Sequence, residues 1–172
     1  DAYDYAKGSF DTFPGLEGKL KHIRHLYYLR GDFWIVVDEI KTDRPRKVDA
    51  LWHWHPTCKV AVNGNNVYTE NNRGNLQIVP VGNRKWEINF IKGQEEPEIQ
   101  GWYSKEYNEF EPNVASVYTT QIKSDSKLVW LLFPSEKVET GIRAEIISES
   151  PKGVKVSVTD QKENKWNVTV PL

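Results

Sequence analysis

Short runs typical of β-strands recur along the whole chain at intervals of about ten residues, with turn signals between them. The runs are rich in Val, Ile and aromatic residues, as in FWIVVDEI, VASVYTTQI, KLVWLLFP and GVKVSVTD. SPKG, QKEN and the Asn-Gly step in VAVNGNNVYTENN are typical of tight turns. No stretch of about 12 or more residues carries a helical stripe of apolar side chains. The pattern predicts an all-β fold, an antiparallel multi-stranded β-sandwich of two packed sheets with little or no helix, as one domain over residues 1–172.

The histidines of the chain all lie within residues 21–55. By the period-two rule, His22 and Arg24 share one face of the first strand in this segment, and His25 takes the opposite face. Gly31-Asp32 is a turn signal, so we expect a hairpin of two long antiparallel strands. The second of them, FWIVVDEI, is apolar on both faces, which predicts a central position in its sheet.

A third strand is predicted over residues 48–55, where Pro56 ends it. Trp52 and Trp54 point to one side of this strand, whereas His53 and His55 point to the other. The two tryptophans are interpreted as core residues rather than as a binding platform.

Charge and composition exclude several classes of function. The formal net charge is −1, so nothing indicates a nucleic-acid partner held by phosphate contacts. No apolar run approaches the roughly 20 residues that a membrane-spanning helix needs. The 7 Trp, 8 Tyr and 6 Phe residues suit a β-sheet core, or stacking on the faces of sugar rings. There is no Met, which leads us to expect a processed or excised piece, with the C-terminal part of a longer protein as one origin.

One group of side chains has the composition of a metal site. Imidazole nitrogens and carboxylate oxygens are good ligands for Zn²⁺, and His22, Asp38 and His53 lie on the three consecutive predicted strands, with His55 as an alternative to His53. The other interpretation is that these are separate surface or core histidines. Arg24 either clamps a carboxylate with two hydrogen bonds or is simply exposed, and His25 is expected to face solvent or the sheet surface. The chain has no G-x-S-x-G, P-loop, C-x-x-C or dinucleotide-binding motif.

Three segments in order resemble a known family. HIRHLYYLRGDFWIVVDEI contains a His, an apolar strand, a Gly-Asp-aromatic-Trp turn and then Val-Val-Asp. WHWHP follows, and then GWYSKEYNEFEPNVASVYTT with LVWLLFP. From about residue 3 to 134, the order and spacing of these segments resemble the C-terminal β-sandwich of heparinase II/III-like polysaccharide lyases.

The resemblance implies an enzyme of two parts. An N-terminal α-helical toroid, which would be the partner of this domain and is absent from this sequence, would carry most catalytic groups, including a Tyr acting as acid or base. The whole enzyme would cleave a uronate-containing anionic polysaccharide, of the glycosaminoglycan or alginate type, by β-elimination. The resemblance also implies a secreted or periplasmic bacterial protein, and we expect this domain alone to be inactive.

Residue by residue, the resemblance matches His22, Asp38 and His53 to positions that act as structural metal ligands in related lyases, with Zn²⁺ as the implied ion. In other members the first of these histidines faces the substrate, so a catalytic role of His22 is the alternative. Leu20 stands where some members have a further His, and this departure argues against a direct catalytic contribution. Two rival functions remain: a stand-alone carbohydrate-binding module and a purely structural sandwich.

Overall fold

The computed structural model describes residues 2–172, which fold into fifteen β-strands and no helix. The strands are β1 (Tyr3–Phe10), β2 (Leu20–Leu29), β3 (Trp34–Thr42), β4 (Arg46–His53), β5 (Val60–Asn63), β6 (Asn66–Thr69), β7 (Asn75–Val81), β8 (Glu87–Lys92), β9 (Trp102–Tyr103), β10 (Glu111–Pro112), β11 (Val114–Ile122), β12 (Ser126–Ser135), β13 (Arg143–Ser150), β14 (Gly153–Thr159) and β15 (Lys165–Pro171). The all-β prediction is confirmed. Within these residues no helical segment is long or apolar enough to cross a membrane.

The strands form antiparallel sheets of unequal size. A central sheet has seven strands in the order β1-β2-β3-β12-β7-β6-β5. A front sheet has the order β4-β11-β8, a back sheet has the order β13-β14-β15, and β9 pairs with β10. The predicted hairpin is β2 and β3, and β3 is an inner strand of the central sheet, as its two apolar faces indicated.

The central sheet is covered on both faces. Alternate residues of β3 enter different cores, with Ile35 and Val37 in the back core and Val36 and Ile40 in the front core. The back core is completed by valines of β14 and β15, and the front core by Trp54 and side chains of β11. The β-sandwich prediction is confirmed, but there are three packed layers where two were expected. The last three strands add the extra layer, because the back face of the central sheet is as apolar as its front.

The β2–β3 hairpin has a longer turn than the sequence predicted. Strand β2 ends at Leu29 and β3 begins at Trp34, so residues 30–33 form the loop, in which the backbone N–H of Leu29 donates to the carbonyl of Phe33 and that of Asp32 to the carbonyl of Leu29. Gly31 has φ +86°, a conformation that glycine adopts without a Cβ clash. The resulting register places Arg24 opposite Asp38 and His22 opposite Ile40.

After β3 the chain leaves the central sheet. Strand β4 pairs with β11 in the front sheet, and Trp54 packs in the front core with Trp52 against it. The alternation along β4 therefore turns His53 to the outer surface of the molecule, where it is exposed.

Candidate functional site

The carboxylate of Asp38 is the centre of the most connected polar group near the predicted site. Its Oδ1 accepts hydrogen bonds from His22 Nε2 at 2.7 Å and from Arg24 Nε at 2.6 Å. Its Oδ2 accepts from Arg24 Nη2 at 2.9 Å and from Trp130 Nε1 at 3.1 Å. The Asp38 side chain is only 3% exposed, so this is a buried carboxylate paired with a bidentate guanidinium.

Sheet register explains this arrangement. Arg24 is the direct cross-strand partner of Asp38 on β2, and Leu128 is its partner on β12. His22 and Trp130 each lie two residues from those partners on the same face, which makes them diagonal neighbours within reach of long or aromatic side chains. The two strands that flank β3 thus supply all three donors.

Both charged groups are held in their ionised forms. Burial acts to raise the pKa of Asp38, but the hydrogen bonds from His22 and Arg24 outweigh it, and the pKa lies below its usual value. The hydrogen bond to Asp38 raises the pKa of Arg24 further above its ordinary range. The pair is therefore a permanent ion pair at any pH near neutrality.

His22 lies on the wall of a cleft between the β2–β3 hairpin and β4. The cleft has a volume of about 320 Å³. Its lining includes Phe13, Leu16, Leu20, His22, Arg24, Asp38, Arg46, Lys47 and Asp49. The His22 side chain is 32% exposed and that of Arg24 is 42% exposed, so both reach solvent while Asp38 does not. We call this the His22 cleft.

The third predicted metal ligand lies elsewhere. His53 forms a hydrogen bond between its Nε2 and Gln100 Oε1 at 2.7 Å, and the alternative, His55, bonds Thr57 Oγ1 at 2.8 Å. Within residues 2–172, no three His, Cys, Asp or Glu side chains are grouped so that they could hold a metal ion. The structure thus brings His22 and Asp38 together but not His53, because His53 lies on the outer face of β4.

The residues beside Asp38 also do not fit a divalent ion. An ionised carboxylate offers about four lone-pair positions, and His22, Arg24 and Trp130 occupy four with four hydrogen bonds. Zn²⁺ binding is still an untested prediction from the resemblance, and no chemistry below depends on it.

Two arrangements were missed from the sequence. Trp130 lies 92 residues from Asp38, and no local signal connects them. His25, expected to face solvent or the sheet surface, is fully buried and bonds Tyr5 OH and Glu39 Oε1, each at 2.9 Å. Glu39 follows Asp38 on β3, so the alternation of both strands contained a signal that His25 and Glu39 would share a face.

Comparison with known proteins gives the family. The chain is similar in fold to the heparan sulfate lyase HepC from Pedobacter heparinus, with a TM-score of 0.77 and 17% identity, covering 98% of this chain and 26% of that one. It is similar to heparinase III with a TM-score of 0.74 and 15% identity, over 98% of this chain and 26% of that one. This chain thus spans about a quarter of the length of these structures. No curated protein matches the sequence. Residues 2–161 match the sequence model of the family described as "Heparinase II/III-like, C-terminal", and the chain belongs to that family.

Proposed function

We propose that this domain is the C-terminal β-sandwich of a lyase that cleaves uronate-containing anionic polysaccharide by β-elimination, and that His22 faces the polysaccharide. The partner is an N-terminal helical domain of the parent protein, and the place of action is outside the cytoplasm. The family membership and the fold of the heparan sulfate lyase support the first part.

The observation that supports a role for His22 is its orientation. Its Nε2 donates to the ionised Asp38, and within residues 2–172 the other ring nitrogen, Nδ1, has no hydrogen-bond partner. A buried carboxylate that bonds one nitrogen fixes the ring orientation and leaves the other nitrogen for a substrate. Because the ring is partly exposed in the His22 cleft, a ligand can reach it.

The lining of the His22 cleft carries a small excess of positive charge. Arg24, Arg46 and Lys47 line it together with Asp38 and Asp49. Arg24 and Lys47 are paired with those two carboxylates, and Arg46 lies 3.4 Å from Asp43. In the proposed reaction a base on another part of the parent protein removes the C5 proton of the uronate. The C4–O bond then breaks, a C4=C5 double bond forms, and the leaving oxygen takes up a proton. Because Nε2 donates to Asp38, only the imidazolium form of His22 can also donate from Nδ1, and in that form it stabilises the negative charge that develops on the uronate carboxylate.

The parent protein with its helical domain is the material for the test. Elimination creates an unsaturated uronate, whose ultraviolet absorbance is followed on heparin, heparan sulfate and alginate. We expect activity from the parent protein and none from residues 1–172 alone. Replacing His22 by Ala in the parent should lower kcat by about 100-fold, the lower end of the range for a donor that stabilises transition-state charge.

His55→Ala is the matched control, because His55 is an exposed histidine bonded to its neighbour Thr57. It should leave kcat within about twofold of the parent value. Activity from residues 1–172 alone would contradict the two-part arrangement, and an unchanged kcat for His22→Ala would contradict the role of His22.

A carbohydrate-binding module is the second candidate, and one observation favours it. Tyr28 and Trp34 are cross-strand partners whose rings stack with centroids 4.4 Å apart and an angle of 13°, and Trp34 is 36% exposed. Flat aromatic surfaces at this exposure suit stacking on sugar rings. This candidate predicts that residues 1–172 alone bind polysaccharide in affinity electrophoresis, and that Trp34→Ala removes the binding while Trp166→Ala, on the back side, does not.

A further inference from the structure

Arg24 occupies the place beside Asp38 where a cation would bind. Its guanidinium contacts both oxygens of Asp38, at 2.6 and 2.9 Å, and His22 shares Oδ1 with it. A divalent ion at that carboxylate would have to displace a hydrogen bond and lie within a few ångströms of a fixed positive charge. Because Arg stays protonated at any physiological pH, this repulsion would not be relieved by loss of a proton.

The opposite wall of the site is built for a guanidinium. The Trp52 ring of β4 lies 5.6 Å from Arg24 Cζ, a cation–π distance. Trp52 faces the central sheet together with Val48 and Ala50, and all three are partly buried against the front core. These three side chains offer an aromatic ring and apolar groups and no metal ligand, and the one carboxylate of β4 in the cleft lining, Asp49, is paired with Lys47. A planar cation suits such a wall, whereas a small hydrated ion does not.

We propose that Arg24 is the built-in cation of this domain: it takes the place of a divalent metal beside Asp38 and positions His22 without one. In this arrangement Asp38 binds Arg24 and His22 together, and Trp52 closes the site from the front sheet. Arg24 is a positioning residue, since it acts on His22 through Asp38. The importance of that position for catalysis rests on the proposed function, whereas the absence of a metal requirement does not.

The first measurement needs no variant. Residues 1–172 are purified without chelator, analysed for metal by mass spectrometry, and melted with added Zn²⁺ or with EDTA. We expect less than about 0.1 equivalent of zinc, and a Tm that neither addition shifts by more than about 1 °C. About one equivalent of zinc, together with a lower Tm in EDTA, would overturn the proposal.

The second measurement replaces the cation. Arg24→Gln should lower Tm by about 5 °C, since it leaves a buried carboxylate short of its ion partner while the arginine stem is partly exposed. Arg143→Gln is the matched control, because Arg143 also contacts both oxygens of a glutamate, Glu163, but both side chains are 65% exposed. Its Tm should fall by less than about 2 °C. Arg24→Gln should also shift the His22 ring resonances, which Arg143→Gln should not. Equal Tm shifts for the two variants, or unchanged His22 resonances in Arg24→Gln, would overturn the proposal.

A third variant tests the exchange of guanidinium for metal directly. Arg24→His puts a neutral ligand near His22 and Asp38, and we expect added Zn²⁺ to raise its Tm by several degrees. Arg143→His should not respond to zinc. If Arg24→His does not respond to zinc either, the guanidinium does not hold a metal's place beside Asp38, and the proposal is overturned. All of these readouts are independent of lyase activity, so their failure leaves the proposed function to its own test.

Discussion

The two faces of the central sheet are buried in different ways. The back core is mainly aliphatic and draws five valines from β14 and β15 alone: Val154, Val156, Val158, Val168 and Val170. The front core contains large rings that carry polar atoms, among them Trp54, Tyr118 and Trp130. Each of these rings donates a hydrogen bond, to Ser116 Oγ, to the carbonyl of Asn65 and to Asp38 Oδ2, respectively.

The back core therefore contributes to the stability of the fold, whereas the front core also positions the side chains of the candidate site. The back core contributes mainly burial of apolar area, which has no direction, and the buried polar group on that face joins His25 to Tyr5 and Glu39. In the front core, Trp130 packs fully buried against Tyr118 and also holds the carboxylate that orients His22. A change behind the sheet should therefore alter the free energy of unfolding alone, and a change in front should alter both the unfolding free energy and the site.

Leu131→Ala is the most severe test of the back core. Leu131 is fully buried there, so its loss leaves a cavity, and we expect the free energy of unfolding to fall by about 4 kcal/mol in urea titration. Leu26→Ala is the control, because Leu26 is 42% exposed and should cost below about 1 kcal/mol. The His22 ring resonances of the folded variant should be unchanged. A shift of those resonances would show that the two faces are coupled.

Trp130→Phe tests the front core at the residue next to Leu131. It removes the indole N–H that Asp38 Oδ2 accepts, and it leaves a smaller cavity, so we expect a loss of about 3 kcal/mol. In contrast with Leu131→Ala, the His22 resonances should shift, since the carboxylate loses one of its fixed donors. Trp86→Phe is the control: that ring packs 4.9 Å from Trp130 but is only partly buried. Trp86→Phe should leave the His22 resonances unchanged. If Trp130→Phe leaves them unchanged as well, the front core does not support the site.

Alternation and turn residues were sufficient to predict the strands and the pairing of β2 with β3. They did not determine the sheet to which a strand belongs. Residues 43–45 between β3 and β4 and residues 82–86 between β7 and β8 are short loops, yet each passes from the central to the front sheet. A short polar loop looks the same in a hairpin and in a crossing between layers, because its residues satisfy the same local geometry.

The missing layer information explains why the sequence did not show that His53 lies apart from His22 and Asp38. The sequence correctly divided β4 into one face with the tryptophans and another with the histidines. Which face packs inward depends on tertiary contacts, and the buried apolar area of Trp52 and Trp54 decided it. Arg24 was visible in the sequence as a potential carboxylate clamp, but its partner followed only from a register that the four-residue loop at Gly31 sets.

The smallest expected effect concerns Tyr118 at alkaline pH. Burial raises the pKa of this phenol well above its ordinary value of about 10. Above pH 10 the unfolded chain loses the Tyr118 proton while the folded chain keeps it, so this residue should lower the free energy of unfolding by about 1.4 kcal/mol per pH unit.

Tyr118→Phe should cost about 1 kcal/mol at pH 7, through the lost hydrogen bond to the Asn65 carbonyl, and should flatten the decline in the free energy of unfolding between pH 10 and 11. Tyr107→Phe, a change at a fully exposed ring, should keep the wild-type slope. Parallel slopes for wild type and Tyr118→Phe in urea titrations at those pH values would mean that the front core admits water to this hydroxyl, and that its polar rings are less tightly enclosed than the valines behind the sheet.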